Sequence, residues 1–176
     1  GGLQELPQLN KPVIAAINGI CCGGGLEIAL SCDIIIAASH STFALPEIRS
    51  GTIADAASIK LPKRIPYHIA MELLLTGRWL DASEAHKWGF VNEIIEPKNL
   101  IDRAYELATL ISSGPPLVIN AIKQVVREAE DKNFQDMLNR ITKRQVETVD
   151  KLYSSQDLLE GQLAFTEKRD PKWQGK

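Results

Sequence analysis

Three consecutive glycines, Gly23-Gly24-Gly25, stand between a short apolar run and a helical pattern. No other feature limits the fold of this chain as much. Upstream, Val13-Ile14-Ala15-Ala16-Ile17 is too apolar to have a wet face, so it reads as a strand covered on both sides. Asn18-Gly19 marks a tight turn. From Leu26 onward the pattern is helical, with Leu26, Ala29 and Leu30 on one face. Asp33 introduces a second buried strand, Ile34-Ile35-Ile36-Ala37-Ala38, and Thr42-Phe43-Ala44 reads as a third, ended by Pro46. Strand, glycine turn, helix, strand is an α/β rhythm. Its elements are short, which fits a stacked coil of ββα units better than one wide doubly wound sheet.

Past residue 55 helices take over. Tyr67 to Thr76 forms one, closed by Gly77. Asp81-Ala82-Ser83-Glu84 reads as a capping box opening a helix that Gly89 ends. Val91-Asn92-Glu93-Ile94-Ile95 is a strand, and Pro97 starts a helix reaching about Ser112, broken by Ser113-Gly114-Pro115-Pro116. Helices then follow over 116 to about 130 and 132 to about 152, and Ser154-Ser155-Gln156-Asp157 opens a last one. Residues 3 to 10 read as the tail of a helix stopped by Lys11-Pro12.

With 176 residues, 44% of them hydrophobic, the chain can bury a core and suits one domain, or one with an extension. Twenty Lys+Arg against 22 Asp+Glu leave a net charge of −2, so no single-sign field points to nucleic acid or a membrane surface. The longest apolar stretches fall far short of the ~20 residues of a membrane span. Gly1-Gly2-Leu3-Gln4-Glu5 has neither the basic nor the apolar part of a secretory leader. Cys21, Cys22 and Cys32 form no CxxC pair and no zinc spacing. In apolar runs they read as buried, reduced thiols of a cytoplasmic protein. His40, His68 and His86 have no ligand partner at i+3 or i+4, so no metal site is expected. Trp79, Trp88 and Trp173 read as packing residues.

The glycines do not bind phosphate in a known way. The dinucleotide fingerprint needs glycine where Ile28 stands, and a P-loop needs lysine where Leu26 stands. Glycines at a helix start still present free N–H groups and permit close approach of a ligand. Such donors suit an oxygen that gains negative charge during a reaction; tight packing is the competing use. Glu27, in the first turn, either complements the helix dipole or handles protons from among Leu26, Ile28, Ala29 and Leu30. Glu47, just past a strand end, is either a solvated loop carboxylate or a second proton-handling group. Asp55 opens the next helix, where an N-cap is the commonest use of Asp.

Taken together, these blocks resemble a known family. Lys11-Pro12-Val13-Ile14-Ala15-Ala16-Ile17-Asn18-Gly19, Gly23-Gly24-Gly25-Leu26-Glu27, Cys32-Asp33-Ile34, Phe43-Ala44-Leu45-Pro46-Glu47 and Gly51 resemble the enoyl-CoA hydratase/isomerase (crotonase) superfamily. Leu75-Thr76-Gly77-Arg78, Trp88-Gly89-Phe90-Val91-Asn92 and Ala164-Phe165-Thr166-Glu167-Lys168-Arg169 continue the resemblance in order along the chain. Within the superfamily, Gly77-Arg78-Trp79, Glu84-Ala85-His86-Lys87-Trp88-Gly89 and the stretch 163–173 look most like carnitinyl-CoA dehydratases. The resemblance implies a ββα spiral core over 1–112 and a C-terminal helical region over 113–176 that builds homotrimers, often paired into hexamers. It implies an acyl-CoA thioester as substrate, with no other cofactor, and a carbonyl held by backbone N–H groups so that an enolate can form. By motif position Gly24 gives one of those N–H groups, beside Gly23 in the substrate site. Glu27 and Glu47 match the carboxylates that position water and move protons. Phe165 and Lys168 sit where the family's last helix approaches bound CoA, and Lys172 could meet its phosphates.

Two departures qualify this picture. The family's N-terminal part before Lys11, which carries the second oxyanion donor, is missing, so the sequence is expected to be part of a longer protein. The Pro-Asp-x-Gly-Gly run that often follows the second carboxylate is here Ala54-Asp55-Ala56-Ala57-Ser58, and the spacing of Asp55 from Glu47 resembles that of dienoyl-CoA isomerases, which implies polar substrate contact or proton transfer by Asp55 as the alternative to a helix cap. Three activities therefore compete: hydration or dehydration using Glu27 and Glu47, double-bond isomerisation using Glu47 and Asp55, and acyl-CoA binding or assembly without catalysis.

Overall fold

The computed structural model describes residues 2, 3, 6 and 8–176. The helix tail expected over 3 to 10 lies in part outside the described residues. Two compact units are present, one built on residues 13–108 and the other on 109–176 with 8–12.

The first unit begins with β1 (Ile14–Ile17) and β2 (Ile20–Cys22), then α1 (Gly24–Ala29). β3 (Ile34–Ala38) and β4 (Thr42–Ala44) follow, then a 3₁₀ turn (Pro46–Ser50), α2 (Asp55–Arg64) and α3 (Tyr67–Thr76). β5 (Leu80–Asp81), α4 (Ala82–Trp88), β6 (Glu93–Ile95), a second 3₁₀ turn (Pro97–Asn99) and α5 (Leu100–Ser112) complete the run. Strands β1 to β4 alternate between two sheets, after which β5 joins β4 in the second sheet and β6 returns to the first. β1-β3-β6 are all parallel, while β2 pairs parallel with β4 and β4 antiparallel with β5. In its first two circuits the chain therefore coils, laying one strand in each sheet before a helix: a mixed α/β arrangement of ββα units.

Why β3 is apolar throughout follows from its neighbours. Ile35 and Ala37 face a core with Leu26, Phe43, Leu45 and Leu61, whereas Ile36 and Ala38 face Leu100 on α5 and its neighbours Ala104 and Leu107. Residues two apart share a face, so a strand covered on both sides has no polar position. Between β1 and β2 the Asn18-Gly19 turn passes the chain from one sheet to the other. Buried Ser41 pins it, donating from Oγ to Ile17 O at 2.9 Å and accepting from Gly19 N at 3.1 Å.

Several local signals have the expected outcome. Gly77 and Gly89 end α3 and α4 in the left-handed conformation, at φ 59° and 89°. Asp81 caps α4 by accepting from Glu84 N at 2.8 Å. The capping box is only half formed. The Glu84 carboxylate turns to Arg78, at 2.6 and 3.0 Å, and to Trp88 Nε1 at 3.1 Å, instead of back to Asp81. Hydrogen bonds from Arg78 hold the Glu84 carboxyl below the usual range. The strand expected over 91–95 shortens to β6, because Asn92 is spent bridging β3: its N–H donates to Ile35 O and its Oδ1 accepts from Ile35 N.

The second unit holds α6 (Pro116–Ala129), α7 (Phe134–Thr142), α8 (Glu147–Tyr153) and α9 (Gln156–Glu167). Ala121, Met137, Val146 and Val149 form its core. The single helix expected over 132 to about 152 is two helices. Arg144 turns into the left-handed region at φ 58°, and Gln145 N donates to Arg140 O at 2.8 Å to close the end of α7. This break lets Val146 and Val149 reach the core, and Arg144 stacks over the Tyr153 ring at 3.2 Å. Ser155 opens α9, accepting from Leu158 N at 3.2 Å. The last residues fold back onto that same end. Lys176 O accepts from Gln156 N and Asp157 N, and buried Asp157 accepts from Gln174 N and Gly175 N, each at 2.8 Å. Among the described residues no helix is long and apolar enough to cross a membrane.

Candidate active site

The candidate site grows from the register of two short strands. Parallel pairing of β2 with β4 sets Cys22 opposite Ala44. Both strands then leave the sheet at their carboxyl ends, one into Gly23-Gly24 and α1, the other through Leu45 into the 3₁₀ turn carrying Glu47. In parallel sheets such ends are where ligands are bound. Gly23 N donates to Ala44 O at 3.0 Å, tying the two exits together.

Gly23 is glycine for two physical reasons. Its φ is 55°, and a Cβ there would stand 2.9 Å from Glu47 Oε1. The glycine turn therefore lies directly against the Glu47 carboxyl group. The other carboxyl oxygen, Oε2, is buried and has no hydrogen-bond partner among the described residues. Glu47 is thus not the solvated loop carboxylate that its position would also allow. A buried acceptor without a donor costs about 1–3 kcal/mol, so this oxygen favours a water or substrate O–H.

Gly24 and Gly25 differ from Gly23. Both are exposed, added Cβ atoms would meet open space, and neither N–H has a partner among the described residues. The first bonds of α1 begin at Leu26 and Glu27, whose N–H groups donate to Gly23 O at 2.9 and 3.1 Å. Packing therefore explains Gly23 but not Gly24 or Gly25. What the triple glycine leaves open is two N–H donors without partners among the described residues, following in sequence the glycine that packs against Glu47.

Glu27 is half-buried, and its Oε1 accepts from Ala57 N at 3.0 Å. Ala57 is the third residue of α2, and the N-cap residue Ala54 offers no side-chain acceptor. Glu27 thus supplies across space the cap that α2 lacks in its own sequence. That bond fixes the orientation of the carboxyl group, and Oε2 remains unbonded among the described residues. Asp55 is not the N-cap. It occupies the first turn of α2, exposed and without a hydrogen-bond partner among the described residues. Sequence reasoning missed the Glu27–Ala57 link; the one hint was an alanine where a capping residue is usual.

Phe165 and Lys168 belong to the second unit. Phe165 is 87% exposed on α9, and Lys168 ends that helix at φ 54°. Phe165, Pro115, Val118, Leu152, Leu158 and Trp173 line an apolar groove of about 410 Å³. Trp173 packs over Gly161, where a Cβ would come within 3.2 Å of the ring. Trp79, by contrast, is 49% exposed and so is only partly a packing residue.

Of the cysteines only Cys21 is fully buried; Cys22 and Cys32 are intermediate. Burial, with smaller contributions from the other two thiols, pushes Cys21 up to about 11, the state of a structural thiol rather than a nucleophile. His86 Nδ1 lies 3.0 Å from Val91 O. Among the described residues no three His, Cys, Asp or Glu side chains are grouped as metal ligands would be.

The family model for enoyl-CoA hydratase/isomerase matches residues 1–176. The chain is 43% identical over 175 residues to a carnitinyl-CoA dehydratase of Salmonella arizonae, covering 99% of this chain and 67% of that one. It is 42% identical to the carnitinyl-CoA dehydratase of Proteus mirabilis, with the same coverage. The chain thus spans about two thirds of the length of these relatives. Among solved structures, an enoyl-CoA hydratase from Bacillus anthracis superposes with a TM-score of 0.90 at 34% identity, covering 99% of this chain and 66% of that one. One from Mycobacterium tuberculosis gives 0.88 at 39% identity, covering 96% and 66%.

Proposed function

The chain belongs to the enoyl-CoA hydratase/isomerase family, whose crotonase-type members are enzymes, and from that premise we propose that it adds or removes water at the 2,3 position of an acyl-CoA thioester. One observation carries the reading. Among the described residues the Gly24 N–H has no partner and lies one residue from Gly23, which packs against Glu47, and the buried Glu47 Oε2 is unbonded.

In the proposed reaction the thioester carbonyl oxygen takes the Gly24 N–H as a hydrogen-bond donor. Water attacks C3 and an electron pair moves onto that oxygen, giving an enolate. The enolate collapses as C2 takes a proton. Glu27 and Glu47 handle the two proton movements, one at the attacking water and one at C2. Dehydration runs the same steps backwards. Glu27 suits this role because its bond from Ala57 N leaves a single oxygen to turn to substrate. Gly23 lets Glu47 lie close to the donor turn.

The substrate in this reading is a 2-enoyl-CoA or 3-hydroxyacyl-CoA. Carnitinyl-CoA, with crotonobetainyl-CoA as its dehydration product, is the narrower candidate; relatives at 43% and 42% identity support it. Phe165 and Lys168 would meet the CoA moiety, and Asp55 a polar part of the acyl group. The helical second unit would build a homotrimer or a hexamer of paired trimers. Isomerisation through Glu47 and Asp55 has weaker support, because Asp55 is exposed in the first turn of α2, without a hydrogen-bond partner among the described residues.

Turnover of crotonyl-CoA by the full-length protein tests the reading. Glu27→Gln and Glu47→Gln should each lower kcat by roughly 10²-fold or more. Unchanged hydration in either variant removes that residue from the chemistry. Double-bond migration without hydration would favour the isomerase instead.

A further inference from the structure

Glu47 is carried by a five-residue 3₁₀ turn, Pro46–Ser50, too short to hold itself in place. Its own bonds are few. Thr52 N and Thr52 Oγ1 both donate to Glu47 O, at 3.1 and 3.3 Å, and Gly51 closes the turn at φ 71°. The outer side of the turn is held from elsewhere, by the carboxyl end of α3. Arg49 Nη2 donates to Thr76 O, the last carbonyl of that helix, at 3.1 Å. Gly77, the next residue, lies so close that a Cβ would stand 3.1 Å from Pro46 Cα, 3.1 Å from Ile48 Cγ2 and 3.4 Å from Arg49 Nε. Pro46 and Ile48 are the residues on either side of Glu47.

Gly77 therefore does two separate things. At φ 59° it ends α3 in the left-handed region, which glycine does at least cost. It also lets the helix end press against the backbone that carries Glu47. Only the first is needed to stop a helix, and asparagine can do that too. The second concerns the Glu47 turn, because the three atoms nearest such a Cβ all belong to it. On the opposite side Glu47 Oε1 lies against Gly23. The carboxylate is thus set between two glycines, one behind its backbone and one beneath its side chain.

We propose that Gly77 and Arg49 are positioning residues for Glu47: the end of α3 clamps the 3₁₀ turn so that the carboxyl group meets the reacting atoms in register. This rests on the reading of Glu47 as a proton-handling residue. A displacement of a few tenths of an ångström at Pro46 is transmitted to Glu47 through one peptide bond. Misplacing a catalytic group by about 1 Å can cost roughly 10²-fold in rate.

The test uses full-length protein and steady-state hydration of crotonyl-CoA, with thermal unfolding as the control for folding. Gly77→Ala and Gly77→Asn both add a Cβ, but asparagine tolerates the left-handed φ. Both should lower kcat roughly 10- to 100-fold with KM within about twofold. Near-normal kcat in folded Gly77→Asn would show that only backbone strain mattered and overturn the clamp. Arg49→Ala approaches the same contact from the other side. It should lower kcat several-fold, with Arg49→Lys restoring part of the loss, and unchanged kcat in Arg49→Ala overturns the proposal even if the Gly77 variants do not fold. Glu47→Gln runs alongside. If it is inactive while the folded clamp variants turn over normally, the clamp fails and the role of Glu47 stands. If Glu47→Gln keeps full activity, the role of Glu47 fails, and the clamp with it.

Discussion

At the scale of single residues, side-chain size and backbone angle decide more than charge does. Gly23 shows this most sharply. Alanine there meets a left-handed backbone and the Glu47 carboxyl at once. Gly23→Ala should lose roughly 1–2 kcal/mol or more in chemical denaturation and lower turnover together with stability. Wild-type stability and activity would contradict the packing of Glu47 on the glycine turn. Cys21 is the opposite case, a group with reactive chemistry held inert. With its pKa at about 11, only about one thiol in a thousand is ionised at pH 8. Native protein treated with iodoacetamide should keep Cys21 unmodified until it is unfolded; rapid native alkylation would contradict the burial. The sequence made Gly24, Glu27 and Glu47 visible as candidates because residue type and order are enough for that. It could not show that Glu47 Oε2 is sealed, since that depends on which atoms other segments bring to it.

Between elements, the informative bonds are those in which one segment completes another. α2 begins at Asp55 behind Ala54, which cannot cap, and Glu27 on α1 supplies the missing acceptor. Glu27→Gln keeps a carbonyl oxygen for Ala57 N, whereas Glu27→Ala does not. Glu27→Ala should therefore lose about 0.5–2 kcal/mol more stability than Glu27→Gln while both lose activity. Equal stability of the two would contradict the cap. A second bond of this kind ties α9 to the tail: Glu160 accepts from Arg169 and from Lys172 N. Arg169 first, then the Lys172 N–H, lower the Glu160 carboxyl to about 2. A carboxylate whose pKa is lowered by folding adds stability above its unfolded value, and that contribution fades as pH falls toward its folded value. Compared with Glu160→Gln, the wild type should be more stable above about pH 5, with the gap closing between there and about pH 2. A gap independent of pH would contradict the assignment. Both links were hidden in the sequence because they join residues far apart along it. Local signals such as Asp81, Ser155, Gly77 and Gly89 were legible because their partners lie within a turn. The break inside 132–152 was not, because Arg144 adopts a glycine-like φ with no glycine or proline to announce it.

For the whole molecule, the alternation of β1 to β4 between two sheets explains how the candidate segments come together. Each circuit of the coil sends a β2- or β4-type strand to the same edge, so the exits of two circuits, Gly23-Gly24 and Glu47, become neighbours although more than twenty residues apart. That coil was readable in outline from the apolar strands at 13–17 and 34–38, whose all-apolar character required cover on both faces. The two-residue strand β5 was not, because two residues carry no periodicity. Assembly is testable at this scale. Sedimentation equilibrium of the full-length protein should give three or six times the subunit mass, and a monomer would contradict the trimer proposal.

The central claim is that the Gly24 N–H and the carboxyl groups of Glu27 and Glu47 serve one bound thioester. A crystal structure with a slowly reacting acyl-CoA tests it most directly. The thioester oxygen should lie about 2.7–3.1 Å from Gly24 N, with C2 and C3 between the two carboxylates. A thioester bound with its oxygen away from Gly24, or with either carboxylate out of reach of C2 and C3, would contradict the account.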